Sequence, residues 1–163
     1  MLSQKVTQEF FLIALGVDPE ANRVLLDRSI DLFERSLELL LNGDGMLIPA
    51  SPSLEITAKL DRLAKEWKVL KAALQAGQKE VVAEQNLVVL KEAGAVVELY
   101  EKAAHVAGHK RHGPIAKLAA RQRILCQRLL KDVAMLADQK GATAQKALRA
   151  DIKTVRAQFE KAL

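Results

Sequence analysis

One run of apolar residues narrows the folds open to this chain more than any other feature. Ile56, Leu60, Leu63, Trp67, Leu70 and Leu74 are spaced 4, 3, 4, 3 and 4 residues apart. On an α-helix that spacing returns each side chain to one stripe, whereas a β-strand would scatter the six over both faces. A stripe of this length contributes stability by burial against other helices, so it predicts a helical bundle.

The same rhythm recurs along the chain. Leu26, Ile30, Phe33, Leu37 and Leu40 carry it earlier, and Val82, Val89, Ala93, Val96, Tyr100 and Ala104 carry it later, with Asn86 as a polar interruption. Ile115, Leu118, Gln122, Leu125, Leu129, Val133 and Leu136 form a further stripe, and Leu148, Ile152, Val155 and Phe159 form the last. No segment sustains the period-two alternation of a half-buried strand. The chain reads as all-α.

The residues between the stripes set the ends of the helices. Asp18 stands where it can cap a helix that opens with Pro19 and Glu20, and Gly16 before it predicts a break or kink. Residues 42–53, "NGDGMLIPASPS", form the main loop, with Ser53 as the cap of the Trp67 helix. Gly77 and the segment "GHKRHGP" mark tight turns, and Thr143 is the expected cap after "KGAT". Long helices joined by short turns favour antiparallel neighbours. The expectation is an antiparallel up-down four-helix bundle with helices at 2–41 (kinked near Gly16), 54–76, 79–107 and 114–138. A C-terminal helical extension at 143–162 follows.

Composition closes off other classes. Half of the 163 residues are apolar and 28% are charged, which suits helices and argues against disorder. Only six are aromatic (one Trp, one Tyr, four Phe), so Leu, Val, Ile and Ala must build the core. The single cysteine excludes an internal disulfide framework. The net charge of +5 is spread along the chain, and nucleic acid is not an expected partner. Polar Ser3, Gln4 and Lys5 follow Met1 directly, so no export signal is visible. "FFLIALGV" at residues 10–17 is too short to span a bilayer, and membrane insertion by this chain is not expected.

The two ends of the chain echo each other. With Met1 set against Ile124, an offset of 123 residues, Leu2 meets Leu125 and Ser3 meets Cys126. Gln4 then meets Gln127, Lys5 meets Arg128, Glu9 meets Asp132 and Ala14 meets Ala137. After a short gap "LFERSL" at 32–37 matches "QFEKAL" at 158–163. The chain thus contains an internal repeat of long period, cut at both ends.

No phosphate-binding Gly-rich loop, paired cysteines or nucleophile-elbow serine is present, so neither catalysis nor a cofactor is expected. Two constellations could bind a ligand. His105, His109 and His112 stand at i, i+4 and i+7, spacing that would suit zinc or copper on an unbroken helix. Gly108, Gly113 and Pro114 crowd the same stretch, which favours a solvated helix end over a metal site. The other is "ARQRILCQR" at residues 120–128. Arg121 and Arg128 share one side, Arg123 projects elsewhere, and Gln122 falls on the apolar stripe, where its amide needs partners. Paired N–H donors of a guanidinium match two oxygens of a small planar oxyanion, although arginines beside a core stripe usually cover apolar neighbours from the solvent side.

"RQRILCQR" at 121–128 and "LSQK" at 2–5 resemble the signature of the PilJ-type domain, the N-terminal domain of type IV pili methyl-accepting chemotaxis transducers. That signature reads approximately A-G-R-Q-R-M-L-S-Q-R. Residues 12–44 and the Trp67 segment "LDRLAKEWKVLKAAL" resemble the family's continuation. The resemblance implies one sensory domain over residues 1–106 and the start of a second, partial repeat over 114–163. It implies a periplasmic ligand-sensing or signal-relay bundle acting as a homodimer, with a cytoplasmic chain as the alternative because no export signal is visible. Related modules bind nitrate or nitrite through an arginine of the signature, and by position that residue is Arg123. Its counterpart in the first copy falls immediately before Met1, as in a chain that starts inside the motif. Ala120 and Cys126 replace the signature's Gly and Ser. The oxyanion site implied comprises Arg123, Arg121, Gln122 and Arg128, with Ser3, Gln4 and Lys5 from the first copy. The competing reading is a structural scaffold with no small-molecule ligand, in which the arginines stay solvated.

Overall fold

The computed structural model describes residues 2–46, 50–51, 53–106, 114–138 and 141–161, and of residues 104, 105, 114–120 and 123 it describes the backbone alone. Among the described residues six helices form: α1 (Leu2–Ala14), α2 (Pro19–Asn42), α3 (Leu54–Gln75), α4 (Lys79–Val106), α5 (Pro114–Asp138) and α6 (Ala142–Lys161). No strand occurs among them. The fold is all-α.

Local chemistry explains the helix ends. Two helices stop in the same way, at a glycine in the left-handed region. After α1 the Gly16 N–H donates to the Ile13 carbonyl at 3.0 Å and the Val17 N–H to that of Leu12 at 2.9 Å, with Gly16 at φ 74°. After α3 the Gly77 N–H donates to Leu74 at 3.2 Å and the Gln78 N–H to Ala73 at 2.9 Å, with Gly77 at φ 68°. These paired bonds satisfy carbonyls that the last turn leaves open. Of the break or kink expected near Gly16, the chain takes the full break, followed by Asp18 at φ 38° and a restart at Pro19. At the start of α3 the Ser53 hydroxyl accepts from the Ile56 N–H at 3.2 Å, the cap the sequence predicts. At α6 the sequence reading is corrected. Gly141 holds the cap position, its carbonyl accepting from Gln145 N–H at 3.0 Å, and Thr143 lies inside the first turn.

The chain divides into two compact units. Unit 1 comprises Met1–Ser29 and His112–Leu163, and unit 2 comprises Ile30–Arg111.

Unit 2 is built on the stripe that opened the sequence reading. Ile56, Leu60, Leu63, Trp67, Leu70 and Leu74 are all buried on α3. The other buried apolar residues of the unit are Ile30, Phe33 and Leu37 of α2, Ala73 of α3, and Val82, Val89, Ala93 and Val96 of α4. Phe33 stacks on Trp67 with ring centroids 3.9 Å apart and planes 19° from parallel. The Trp67 indole N–H reaches Glu34 Oε1 at 3.4 Å, and the Lys71 ammonium reaches the same oxygen at 2.7 Å. Gln85 pairs with Glu66, and Glu92 pairs with Lys59 and Arg62, so partners later in α4 lie earlier in α3. The two helices are antiparallel, as their short turn requires. Asn86, the polar interruption, is fully buried, and its amide donates to the Val82 carbonyl one turn back at 2.9 Å.

Unit 1 packs α1 and α6 against α5. Gln122 of α5 donates to the Phe159 carbonyl of α6 at 3.1 Å, and Arg128 pairs with Asp151 at 3.6 Å, which makes this hairpin antiparallel too. The apolar core here is small: Val6, Phe10 and Phe11 from α1, Leu125, Ala134 and Met135 from α5, and Val155 from α6.

Candidate functional site

Unit 1 buries polar groups at an unusual density. α1 hides Ser3, Gln4, Thr7 and Glu9 together with Val6, Phe10 and Phe11, so the buried positions cover more than half of the circumference of the helix. Thr7 is satisfied within its own helix, its hydroxyl donating to the Ser3 carbonyl at 2.9 Å. The Ser3 hydroxyl is buried with no hydrogen-bond partner among the described residues. Glu9 is 3% exposed, with Lys5 one turn earlier at 3.5 Å. Burial raises its carboxyl above the ordinary carboxylate range. The neighbouring Ser29 hydroxyl and Lys5 oppose that rise. Ser29 stands close enough to act electrostatically, although its hydroxyl lacks hydrogen-bond geometry.

On α5 the buried face departs from the expected stripe. Leu125 is buried and Leu129 and Leu136 are half-buried, but Val133 is 52% exposed and Leu130 is 56% exposed. In their place Lys131 and Asp132 are buried, with the ammonium 2.9 Å from Asp132 Oδ1. Burial raises the Asp132 carboxyl, and Asp151 of α6 adds to the rise. Lys131 and Arg128 counter it. A helix that buries its ions and exposes its valine has been rotated by its neighbours. α5 serves α1 and α6 at once, and its apolar positions lie on more than one side.

The residues of the expected oxyanion site fall as follows. Ser3 and Gln4 are buried on α1, and Lys5 is half-exposed on the same helix with Glu9 as its partner. Arg121 is exposed. Gln122 is half-buried and finds the Phe159 carbonyl for its amide nitrogen, while its Oε1 is buried without a hydrogen-bond partner among the described residues. Arg128 is half-buried, and its counter-ion is Asp151. The Arg123 backbone belongs to α5, and its side chain lies outside the described residues. The same holds for the His105 side chain on α4, and His109 and His112 lie wholly outside them. Among the described residues no group of three or more His, Cys, Asp or Glu is placed to hold a metal.

α1 and α5, which carry the two copies of the signature, pack against each other, so unit 1 brings the motif-bearing helices together. It does not bring together the described arginines: one is solvated and one is already paired. The side chains that sequence reasoning missed as site residues are Glu9, Ser29, Lys131 and Asp132. A signal for two of them was present, since the repeat aligns Glu9 with Asp132 and keeps a basic residue four positions before each. Charged residues are rarely buried without close pairing, which is why hydropathy alone passes over them.

Among the described residues no helix is long and apolar enough to cross a membrane. Neither a curated protein nor a solved structure matches the chain. The family model described as the type IV pili methyl-accepting chemotaxis transducer N-terminal region, PilJ, matches residues 1–95. That match takes in α1, α2, α3 and most of α4, more than half of the sequence. The chain belongs to the PilJ family of chemotaxis transducer domains.

Proposed function

We propose that this chain is the sensory part of a type IV pili chemotaxis transducer, a helical module that passes a chemical signal on through helix packing rather than by catalysis. The observation that carries the reading is the family match over residues 1–95. In this reading the domain works in the periplasm as a homodimer. Residues 1–106 form the sensory domain, and 114–163 begin a second copy. Its ligand is a small oxyanion such as nitrate, held by Arg123 with Arg121, Gln122 and Arg128, and by Ser3, Gln4 and Lys5 from the first copy. Support for a polar ligand comes from the buried Ser3 hydroxyl and the buried Gln122 oxygen on helices that pack together.

One observation favours the scaffold reading instead. Arg121 is solvated and Arg128 already has Asp151, so an anion at Arg128 would have to compete with a carboxylate. Affinity for nitrate in this chain is therefore expected to be weak. Calorimetric titration with nitrate, on this chain and on one extended upstream by "AGRQR", tests both readings, with light scattering for the dimer. The sensory reading expects stronger binding by the extended chain. Equal binding by both that survives Arg123→Ala would remove the signature arginines from the site, and no binding by either would leave the scaffold.

A further inference from the structure

The connection between α2 and α3 opens with "NGDG" at residues 42–45, which sets two chemically labile peptide links side by side. In Asn-Gly and Asp-Gly the glycine nitrogen can attack the preceding side-chain carbonyl carbon, because the glycine has no β-carbon to obstruct the approach. A succinimide ring closes, and water then reopens it. By dipeptide chemistry alone Asn42–Gly43 is the faster link, since an amide gives up ammonia more readily than a carboxylate gives up water.

The fold treats the two links differently. Asn42 is the last residue of α2, and the Gly43 N–H donates to the Leu39 carbonyl at 2.9 Å. The nitrogen that would attack is thus bound into the last turn of the helix. Ring closure there has to break that bond and turn the Asn42 peptide out of its helical geometry.

Asp44 and Gly45 lie beyond the helix, and both are exposed. The Gly45 N–H has no hydrogen-bond acceptor among the described residues. A methyl group on Gly45 would meet nothing within 4 Å, so the space around it is open. Asp44 Oδ1 accepts from the Met46 N–H at 2.9 Å, which brings the carboxyl back along the chain past Gly45. The same donor faces the oxygen on which negative charge collects when the carboxyl carbon is attacked.

We propose that Asp44 is a site of spontaneous isoaspartate formation in the folded chain, and that the end of α2 shields Asn42 from the same chemistry. In the protonated carboxyl group of Asp44, the Gly45 nitrogen forms a bond to the side-chain carboxyl carbon. The carboxyl OH leaves with the amide proton as water. Water then adds to either carbonyl carbon of the ring and breaks its bond to nitrogen. Breaking the side-chain bond restores aspartate, and breaking the backbone bond leaves the main chain running through the side chain. Nothing is oxidised or reduced, and the mass is unchanged. The product inserts an additional methylene carbon into the α2–α3 connection and removes the side chain that accepts from Met46. The proposal is independent of the sensory reading and of any oxyanion.

Asp44→Asn supplies the test, because it sets two Asn-Gly links in one chain. The folded variant, held at neutral pH and followed by peptide mass spectrometry, should deamidate about tenfold faster at position 44 than at Asn42. That is the scale of one broken backbone hydrogen bond. Unfolding in guanidinium chloride should bring the two rates together. In the unmodified chain, labelling by an isoaspartyl methyltransferase should place the aged product at residue 44. Equal rates in the folded variant would overturn the shielding, as would a rate difference that persists on unfolding. An aged, unmodified chain with no isoaspartate at 44 would overturn the site itself. If the variant fails to fold, the loss of Asn42 in the folded and unfolded forms of the unmodified chain decides the shielding.

Discussion

Trp67 concentrates much of what holds unit 2 together. Its ring is 2% exposed and stacked on Phe33, and its indole N–H is directed at a carboxylate that Lys71 also holds. Truncation would leave a large cavity, strand Phe33 without its stacking partner, and remove the donor to Glu34. Trp67→Ala should cost about 3–5 kcal/mol, measured as a fall in the denaturation midpoint followed by circular dichroism. Trp67→Phe should cost less, since it keeps an aromatic face for Phe33 and forfeits mainly the N–H. A Trp67→Ala loss within about 0.5 kcal/mol, the scale of surface substitutions, would show that the site collapses around the missing ring. At the same scale, the burial of Trp67 was legible in the sequence and that of Lys131 was not. Trp67 sits in the middle of a six-residue stripe, whereas Lys131 lies between two exposed apolar residues on a helix that must satisfy two neighbours.

Helices are the level at which the sequence was read most closely, because their ends depend on local chemistry. Gly16, Gly77, Pro19 and Ser53 each impose a backbone geometry or supply an oxygen wherever the rest of the chain lies, and the observed ends follow them. Gly77 offers a clean test. A methyl group there would meet nothing within 4 Å, so the cost of Gly77→Ala comes only from holding an L-residue at φ 68°. The variant should lose about 1 kcal/mol, read from the midpoint of chemical denaturation. A neutral result would mean that the end of α3 relaxes into another turn. The face of a helix is less secure than its ends. On α5 the period alone admits Val133 into the core, yet Val133 is solvated and Asp132 is buried. Which side a helix hides depends on the helices that come to meet it, and α1 and α6 are far from α5 or beyond its turn in sequence.

Over the whole molecule, the family was legible because its signature is a short run of specific residue types, found twice. The site was legible only in part. The signature places Ser3, Gln4 and Gln122 on helices of one unit. The partners that decide their chemistry, Phe159 for Gln122 and Asp151 for Arg128, come from another helix. Both numbers and spacing are silent on such pairings. The units also differ in how they meet their buried charge. In unit 2 the buried Glu92 is flanked by two cations from α3, each 3.2 Å away. In unit 1 the Glu9 oxygens have one ammonium at 3.5 Å, from the half-exposed Lys5, and Asp132 has one at 2.9 Å, from the buried Lys131.

The stacked pair of Phe33 and Trp67 has an optical consequence. The chain has a single tryptophan, and it belongs to unit 2. Its buried ring, pressed on another aromatic face and shielded from water, should emit at short wavelength and shift to the red as that unit opens. Unit 1 has no indole of its own and contributes nothing to this emission. An unfolding curve drawn from tryptophan fluorescence is therefore a curve for half of the fold, while the far-ultraviolet helix signal records all of it. Overlaying the two would show whether the helices of the chain melt as one cooperative body or in two steps. No label would have to be introduced.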